Sequence, residues 1–219
     1  VLFHSGYLTI DRLILENIGT EREPDMEEMF TFKIPNREVA RHYKSFCFQQ
    51  IFGRTHENFI AFSENLMYSL LKKDSVKMAE ILGGLLFGIV HRHHEPDESF
   101  YHSMFQASFV AAGLEAKSEL GGSRGNSDIA IFLDGRVRVV TELKYVRTDE
   151  KSAKSGTDRA REELEAALEK AEKAIREKKY AEPFRLAASE IICLALAVRG
   201  SDEVAARFMT PDEPDGQSA

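Results

Sequence analysis

The stretch that most restricts the fold is EIICLALAV at residues 190–198, a nine-residue run whose one charged position is Glu190. Its length, its Ile-Ile pair and its Val favour a strand apolar on both sides. Such a strand has to be covered on both faces, which predicts a sheet between helical layers. At 219 residues with 43% hydrophobic and 30% charged content, the chain can build that core.

Upstream, residues 123–145 read SRGNSDIAIFLDGRVRVVTELKY. The pattern is a Gly-rich loop, a strand from Asp128, a turn at Asp134-Gly135 and a strand carrying Glu142-Leu143-Lys144. Period two puts Arg138, Val140, Glu142 and Lys144 on one face of the second strand, and Asp128, Ala130 and Phe132 on one face of the first. Whether those faces coincide depends on the turn. A two-residue loop pairs Asp128 with Thr141, on the wrong face. A three-residue loop, 133–135, pairs Asp128 with Val140 and makes Glu142 its diagonal neighbour, with Gly135 left-handed in a bulged hairpin. The odd loop is the expectation.

The rest of the order follows from periodicity and capping residues. Two short strand candidates, near 6–10 and 29–34, flank an acidic loop at 20–28 and form a small β element. Asn36 is a plausible N-cap for a helix to about Phe52. Further helices are expected at 57–71, with Ile60, Leu66, Met67, Leu70 and Leu71 inward, and from Asp74, with Ile81, Leu82, Leu85, Leu86 and Ile89 buried. Asp97 or Pro96 opens a mostly buried helix at 98–113 on which Glu98 and His102 share a face. An alternating strand at 114–120 precedes the hairpin. Thr157 or Asp158 begins a long helix to about Lys179, with Leu164, Leu168, Ala171 and Ile175 inward and the charged faces solvated. From Gly200 onward, prolines and acids suggest a disordered tail. The fold class is therefore α/β (α+β): a helix, three strands, a helix and a strand around a mixed sheet, after a helical layer. The divisions are 1–35, 36–95, 96–199 and 200–219.

Charge narrows the partners. A net charge of −7 argues against a generic polyanion binder, but residues 121–160 carry eight Lys or Arg against six Asp or Glu. If the chain touches a phosphate backbone, it does so there; the candidate contacts are Arg124 and Arg138 in that stretch and Tyr101 and His102 on the helix before it. Cys47 and Cys193 read as buried thiols of a reducing compartment. No apolar run approaches the roughly 20 residues of a membrane span, and a cytoplasmic location is expected. The start, without a Met or a basic leader, is read as the interior of a longer chain. The cluster His91-Arg92-His93-His94-Glu95 lacks the spacing of a zinc site and reads as a polar loop.

If Asp128 and Glu142 converge, two carboxylates with water and a phosphate oxygen suit a hard cation, Mg²⁺ or Mn²⁺. Such an ion polarises a phosphodiester and activates water, while Lys144 orients that water or offsets developing charge. Glu98, on the first turn of its helix, is either a simple dipole partner or a further acid of the site.

These residues resemble the PD-(D/E)xK nuclease superfamily, whose restriction-endonuclease-like αβββαβ core carries Asp and (Asp/Glu)-x-Lys. The chain is more closely similar to bacterial and archaeal proteins that join an AAA-ATPase-like domain to a C-terminal nuclease domain of this kind. SGYLTI at 5–10, IPNREV at 34–39, ESFYH at 98–102, SRGNSDI at 123–129, ELK at 142–144 and EKKYAEPF at 177–184 carry that likeness. The resemblance implies catalytic roles for Glu98, Asp128, Glu142 and Lys144, with Asp128, Glu142 and Glu98 as metal ligands. It implies DNA as the substrate, an ATPase-like domain as the fused partner, 1–35 as the end of that region, and a homodimer as one assembly to test. The chain departs from the family at Ala174, where Gln is common. That departure and the acidic balance favour the alternative, a catalytically weak module that binds nucleic acid or regulates the ATPase.

Overall fold

The structure is a computed structural model that describes residues 2–17, 26–53, 55–87, 96–122, 125–133, 137–148, 157–201 and 203–211. The chain divides into two compact units, Val1–Cys47 and Phe48–Ala219. In the first, β1 (Thr9–Asn17) and β2 (Met26–Lys33) form an antiparallel two-stranded sheet with an irregularity between Ile10 and Arg12. Both strands are longer than expected, and 26–28, read as loop, lie within β2. Helix α1 (Arg37–Phe52) begins under the predicted Asn36 cap, whose Oδ1 accepts from Val39 N–H at 2.9 Å.

The second unit is built on a five-stranded mixed sheet in the order β3-β4-β5-β6-β7. Its strands are β3 (Glu115–Gly122), β4 (Gly125–Leu133), β5 (Val137–Val146), β6 (Glu190–Arg199) and β7 (Glu203–Met209). β5 and β6 are parallel and the other neighbours are antiparallel. The apolar run at 190–198 falls in β6, between β5 and β7, where Ile192–Arg199 are all buried. β7 corrects the expected tail: EVAARFM has too little apolar bulk to read as a core strand, but its backbone pairs with β6 from Arg199↔Glu203 to Cys193↔Met209.

Two helical layers cover the sheet. On one face, α2 (His56–Lys72), α3 (Ser75–Leu86) and α4 (Glu98–Ala111) enclose a core that includes Leu66, Leu82, Phe105, Ile129, Val139, Leu143 and Leu196. Asp74 and Asp97 cap α3 and α4 through Lys77 N–H at 2.9 Å and Phe100 N–H at 2.8 Å, as their positions predict. The inward stripe of α2 differs from the expected one. Phe59 and Phe62 join Leu66 and Leu70 inside, while Ile60 and Leu71 are exposed, because the larger aromatic surfaces set the helix rotation. On α3, Met78 is buried and Ile81 only partly so; Ile89 lies outside the described residues.

The opposite face packs on α5 (Thr157–Glu177), whose Ala167, Leu168, Ala171 and Ile175 close over Val140, Cys193, Ala195 and Ala197. The charged flank of α5 is not simply solvated. Glu165 and Glu172 hold Arg207 of β7 at 2.6 and 2.8 Å, and Glu163 holds the buried Arg199 at 2.7 Å. These pairs tie the helix to β7 and to the end of β6. Both cysteines are free thiols, Cys193 buried and Cys47 partly so. Among the described residues, no helix is long and apolar enough to cross a membrane.

Candidate active site

The β4–β5 ladder runs from Leu133↔Val137 to Ile129↔Thr141, so three residues, 134–136, join the strands. The odd parity agrees with the expectation; the register does not. It is shifted from the predicted Phe132–Arg136 pairing, so that Asp128, one step beyond the last pair, falls opposite Glu142 rather than Val140. The loop begins one residue later than expected, which moves the acids from diagonal to facing positions, about 4.5–5.5 Å apart at Cβ. The predicted left-handed Gly135 lies outside the described residues.

Asp128 is half-buried on the α5 face. Its Oδ2 accepts Leu143 N–H at 2.7 Å, so the side chain takes over a backbone donor just past the end of the ladder. Burial pushes its carboxyl above the usual range, the Leu143 N–H opposes that, and the Glu142 charge pushes it further up. On its other flank, β3 pairs regularly on either side, at Ser118↔Ile129 and Leu120↔Ser127, but Glu119 between them has a left-handed φ of 51°. That is a strained backbone for a non-glycine residue.

Glu142 is 1% exposed, a position that a carboxylate occupies only when its oxygens are matched. Oε1 stands 2.9 Å from Lys144 Nζ and 3.7 Å from Lys178 Nζ, and Oε2 accepts from the Tyr180 hydroxyl at 2.9 Å. Tyr180 is itself buried; burial, Glu142 and Asp128 together hold its hydroxyl far above the ordinary range, so it stays a donor. Lys144 also donates to Leu143 O at 2.9 Å and lies 3.6 Å from Glu98 Oε1. Burial works against its charge, but the hydrogen bond and charge of Glu142, with Glu98 and Asp128, outweigh that and raise its pKa. The carboxylates of Glu142 and Glu98 thus favour the charged form of Lys144.

The N-terminal turn of α4 braces both strands. Glu98 Oε2 accepts Tyr145 N–H at 3.0 Å, and His102 Nε2 lies 2.6 Å from Asp128 O, a carbonyl that can only accept, so this nitrogen carries the proton. Three expected residues, Glu98, Lys144 and Glu142, thus connect through direct contacts, and Asp128 joins them through the Leu143 N–H of the same strand. Glu98 reaches the acid pair through Lys144 and the β5 backbone. No group of three or more His, Cys, Asp or Glu that could hold a metal ion occurs among the described residues.

The expected phosphate contacts do not gather there. Tyr101 is a correction: it is fully buried, with its hydroxyl donating to Gly200 O at 2.6 Å and its ring tilted against Tyr145. The nitrogen His102 offers is directed to Asp128 O. Arg138 sits over the Phe132 ring at 4.6 Å, four residues along the ladder and about 13 Å from the Asp128 position. Arg124 and the histidines 91, 93 and 94 lie outside the described residues. Two residues absent from the expected site, Lys178 and Tyr180, touch Glu142. The signal for them was the KKY segment at 178–180, which sequence alone does not bring beside β5.

A hard divalent cation fits the donor chemistry of Asp128 and Glu142, two carboxylates at facing positions with Lys144 beside the second. No curated protein matches the chain significantly. A sequence model of the PD-(D/E)XK nuclease superfamily matches residues 96–207, which span α4 through most of β7 and include all four of these residues. With its acid pair and lysine on neighbouring strands of a mixed sheet behind a bracing helix, the chain belongs to the PD-(D/E)XK nuclease superfamily.

Proposed function

We propose that the chain is a metal-dependent nuclease that hydrolyses DNA phosphodiester bonds with Mg²⁺ or Mn²⁺. The observation that carries this reading is the facing pair Asp128 and Glu142 with Lys144 Nζ 2.9 Å from Glu142 Oε1. Asp128 and Glu142 would hold the ion, which supplies Lewis acidity to the phosphate and lowers the pKa of bound water. The chain's own residues do the rest. The Leu143 N–H and His102 fix Asp128 from two directions, and Tyr180 fixes Glu142. Lys144, held charged, offsets negative charge that grows on the phosphate oxygens. Glu98 keeps Lys144 and the end of β5 in line.

The test is cleavage of plasmid and single-stranded DNA with Mg²⁺ or Mn²⁺, expected for the wild type and lost in Asp128→Ala. Absence of cleavage of any nucleic acid by wild-type protein shown to bind metal contradicts the reading. Ala174, on α5 where the family often carries Gln, favours a second reading, a weakly catalytic module that binds nucleic acid or regulates a fused AAA-type ATPase. An N-terminal ATPase-like partner, supported by the SGYLTI and IPNREV likeness, belongs to this proposal, as do a homodimer and a cytoplasmic location.

A further inference from the structure

Lys178 lies outside the acid-x-Lys motif and has no part in the chemistry above. It follows the last residue of α5, in the turn that also delivers Tyr180. Its Nζ stands 3.7 Å from Glu142 Oε1, and its side chain is 47% exposed. The path it follows is built. A Cβ on Gly125, at the start of β4, would come within 3.1 Å of Lys178 Cδ and 3.5 Å of its Cγ. Gly125 also has a φ of +149°, which L side chains rarely adopt. The Tyr180 ring lies on the route as well, 5.6 Å from Nζ to its centroid. Two segments far apart in sequence, the Gly-rich loop before Asp128 and the KKY turn after α5, therefore meet to hold one lysine beside the acid pair.

Stability gives little reason for that arrangement. Glu142 already has Lys144 at 2.9 Å and the Tyr180 hydroxyl at 2.9 Å. A third, half-exposed partner at 3.7 Å adds little to a folded chain. Its exposure is the informative property: Lys178 is 47% exposed and Lys144 28%, so an anion arriving from solvent meets Lys178 first. An ammonium on a flexible stem is a point charge suited to a phosphate whose orientation varies.

We propose that Lys178 is a second substrate-contacting cation of the site, which holds a phosphate of the nucleic-acid backbone next to the acid pair. This rests on the nuclease reading and deepens it. The experiment measures binding of a labelled single-stranded DNA oligonucleotide in EDTA, over a KCl series, for the wild type, Lys178→Met and Lys178→Arg. Melting temperatures serve as the folding control. Loss of one phosphate contact lowers the slope of log affinity against log salt by about 0.7. That loss, with weaker binding, is expected for Lys178→Met, and recovery of both is expected for Lys178→Arg. A Lys178→Met protein with wild-type affinity and slope overturns the assignment and leaves the nuclease reading standing. Equal loss in both variants with lowered melting temperatures overturns it too, because it would report packing rather than charge. Wild-type protein that binds no nucleic acid in EDTA overturns the assignment and leaves the nuclease reading to its own cleavage test.

Discussion

On β5 the odd-numbered Val139, Thr141 and Leu143 turn to the layer of α2, α3 and α4, while the even-numbered Val140, Glu142 and Lys144 turn to the side of α5. On the first face every position is closed: Val139 and Leu143 are core, and Thr141 satisfies its hydroxyl on Ile129 O at 3.0 Å. On the second, α5 covers Val140, but beyond it a buried carboxylate and a lysine occupy positions that a stable sheet would fill with apolar side chains. One strand thus serves stability on one side and, in the proposed nuclease, chemistry on the other, and local rules of burial fail only on the second.

Leu143→Ala attacks the first face and should cost about 2–5 kcal/mol of unfolding free energy in urea. A loss below about 1 kcal/mol would mean that this side of β5 is not core. Lys144→Ala attacks the second. Turnover should fall about 10²-fold, as for removal of a fixed group that stabilises transition-state charge, with a smaller loss of stability as buried Glu142 gives up its nearest cation. A larger effect on folding than on turnover would erase the distinction between the faces. Tyr180→Phe keeps the ring and removes one donor from Glu142; Mn²⁺ affinity, read by calorimetry, should weaken about tenfold. Unchanged affinity would make Tyr180 a packing residue.

The smallest effect concerns Asp128. Its folded pKa is raised, by burial first and by Glu142, so its contribution to stability is fully present below the unfolded pKa and is lost as pH rises through the folded one. Asp128→Asn should therefore raise the melting temperature at pH 7, by about 2–4 °C for about 1 kcal/mol in a chain of this size. The gain should shrink as pH falls toward about 4. A gain that grows on acidification contradicts the sign of the shift.

Much of this arrangement was readable from local pattern. The apolar run of β6, the caps Asn36, Asp74 and Asp97, and the odd parity of the β4–β5 connection all depend on residues close in sequence. What escaped depends on distant partners. β7 is a strand because Arg199 to Cys193 offer it a ladder, not because of its own composition. The α2 stripe follows Phe59 and Phe62, which have to fit a core made by other elements. The one-residue difference in where the loop begins decided whether Glu142 is diagonal to Asp128 or opposite it. Tyr180 and Lys178 meet Glu142 only because α5 crosses the sheet and returns its C-terminal turn to β5.

The central claim is that Asp128 and Glu142 form one site rather than two neighbouring acids. Calorimetric titration of Mn²⁺ into the wild type, Asp128→Asn, Glu142→Gln and the double variant tests it most directly. One Mn²⁺ site is expected in the wild type, with nearly the same loss in either single variant as in the double, because each acid is useless without the other. Losses that add across the two positions, or Mn²⁺ binding undiminished in the double variant, would contradict it.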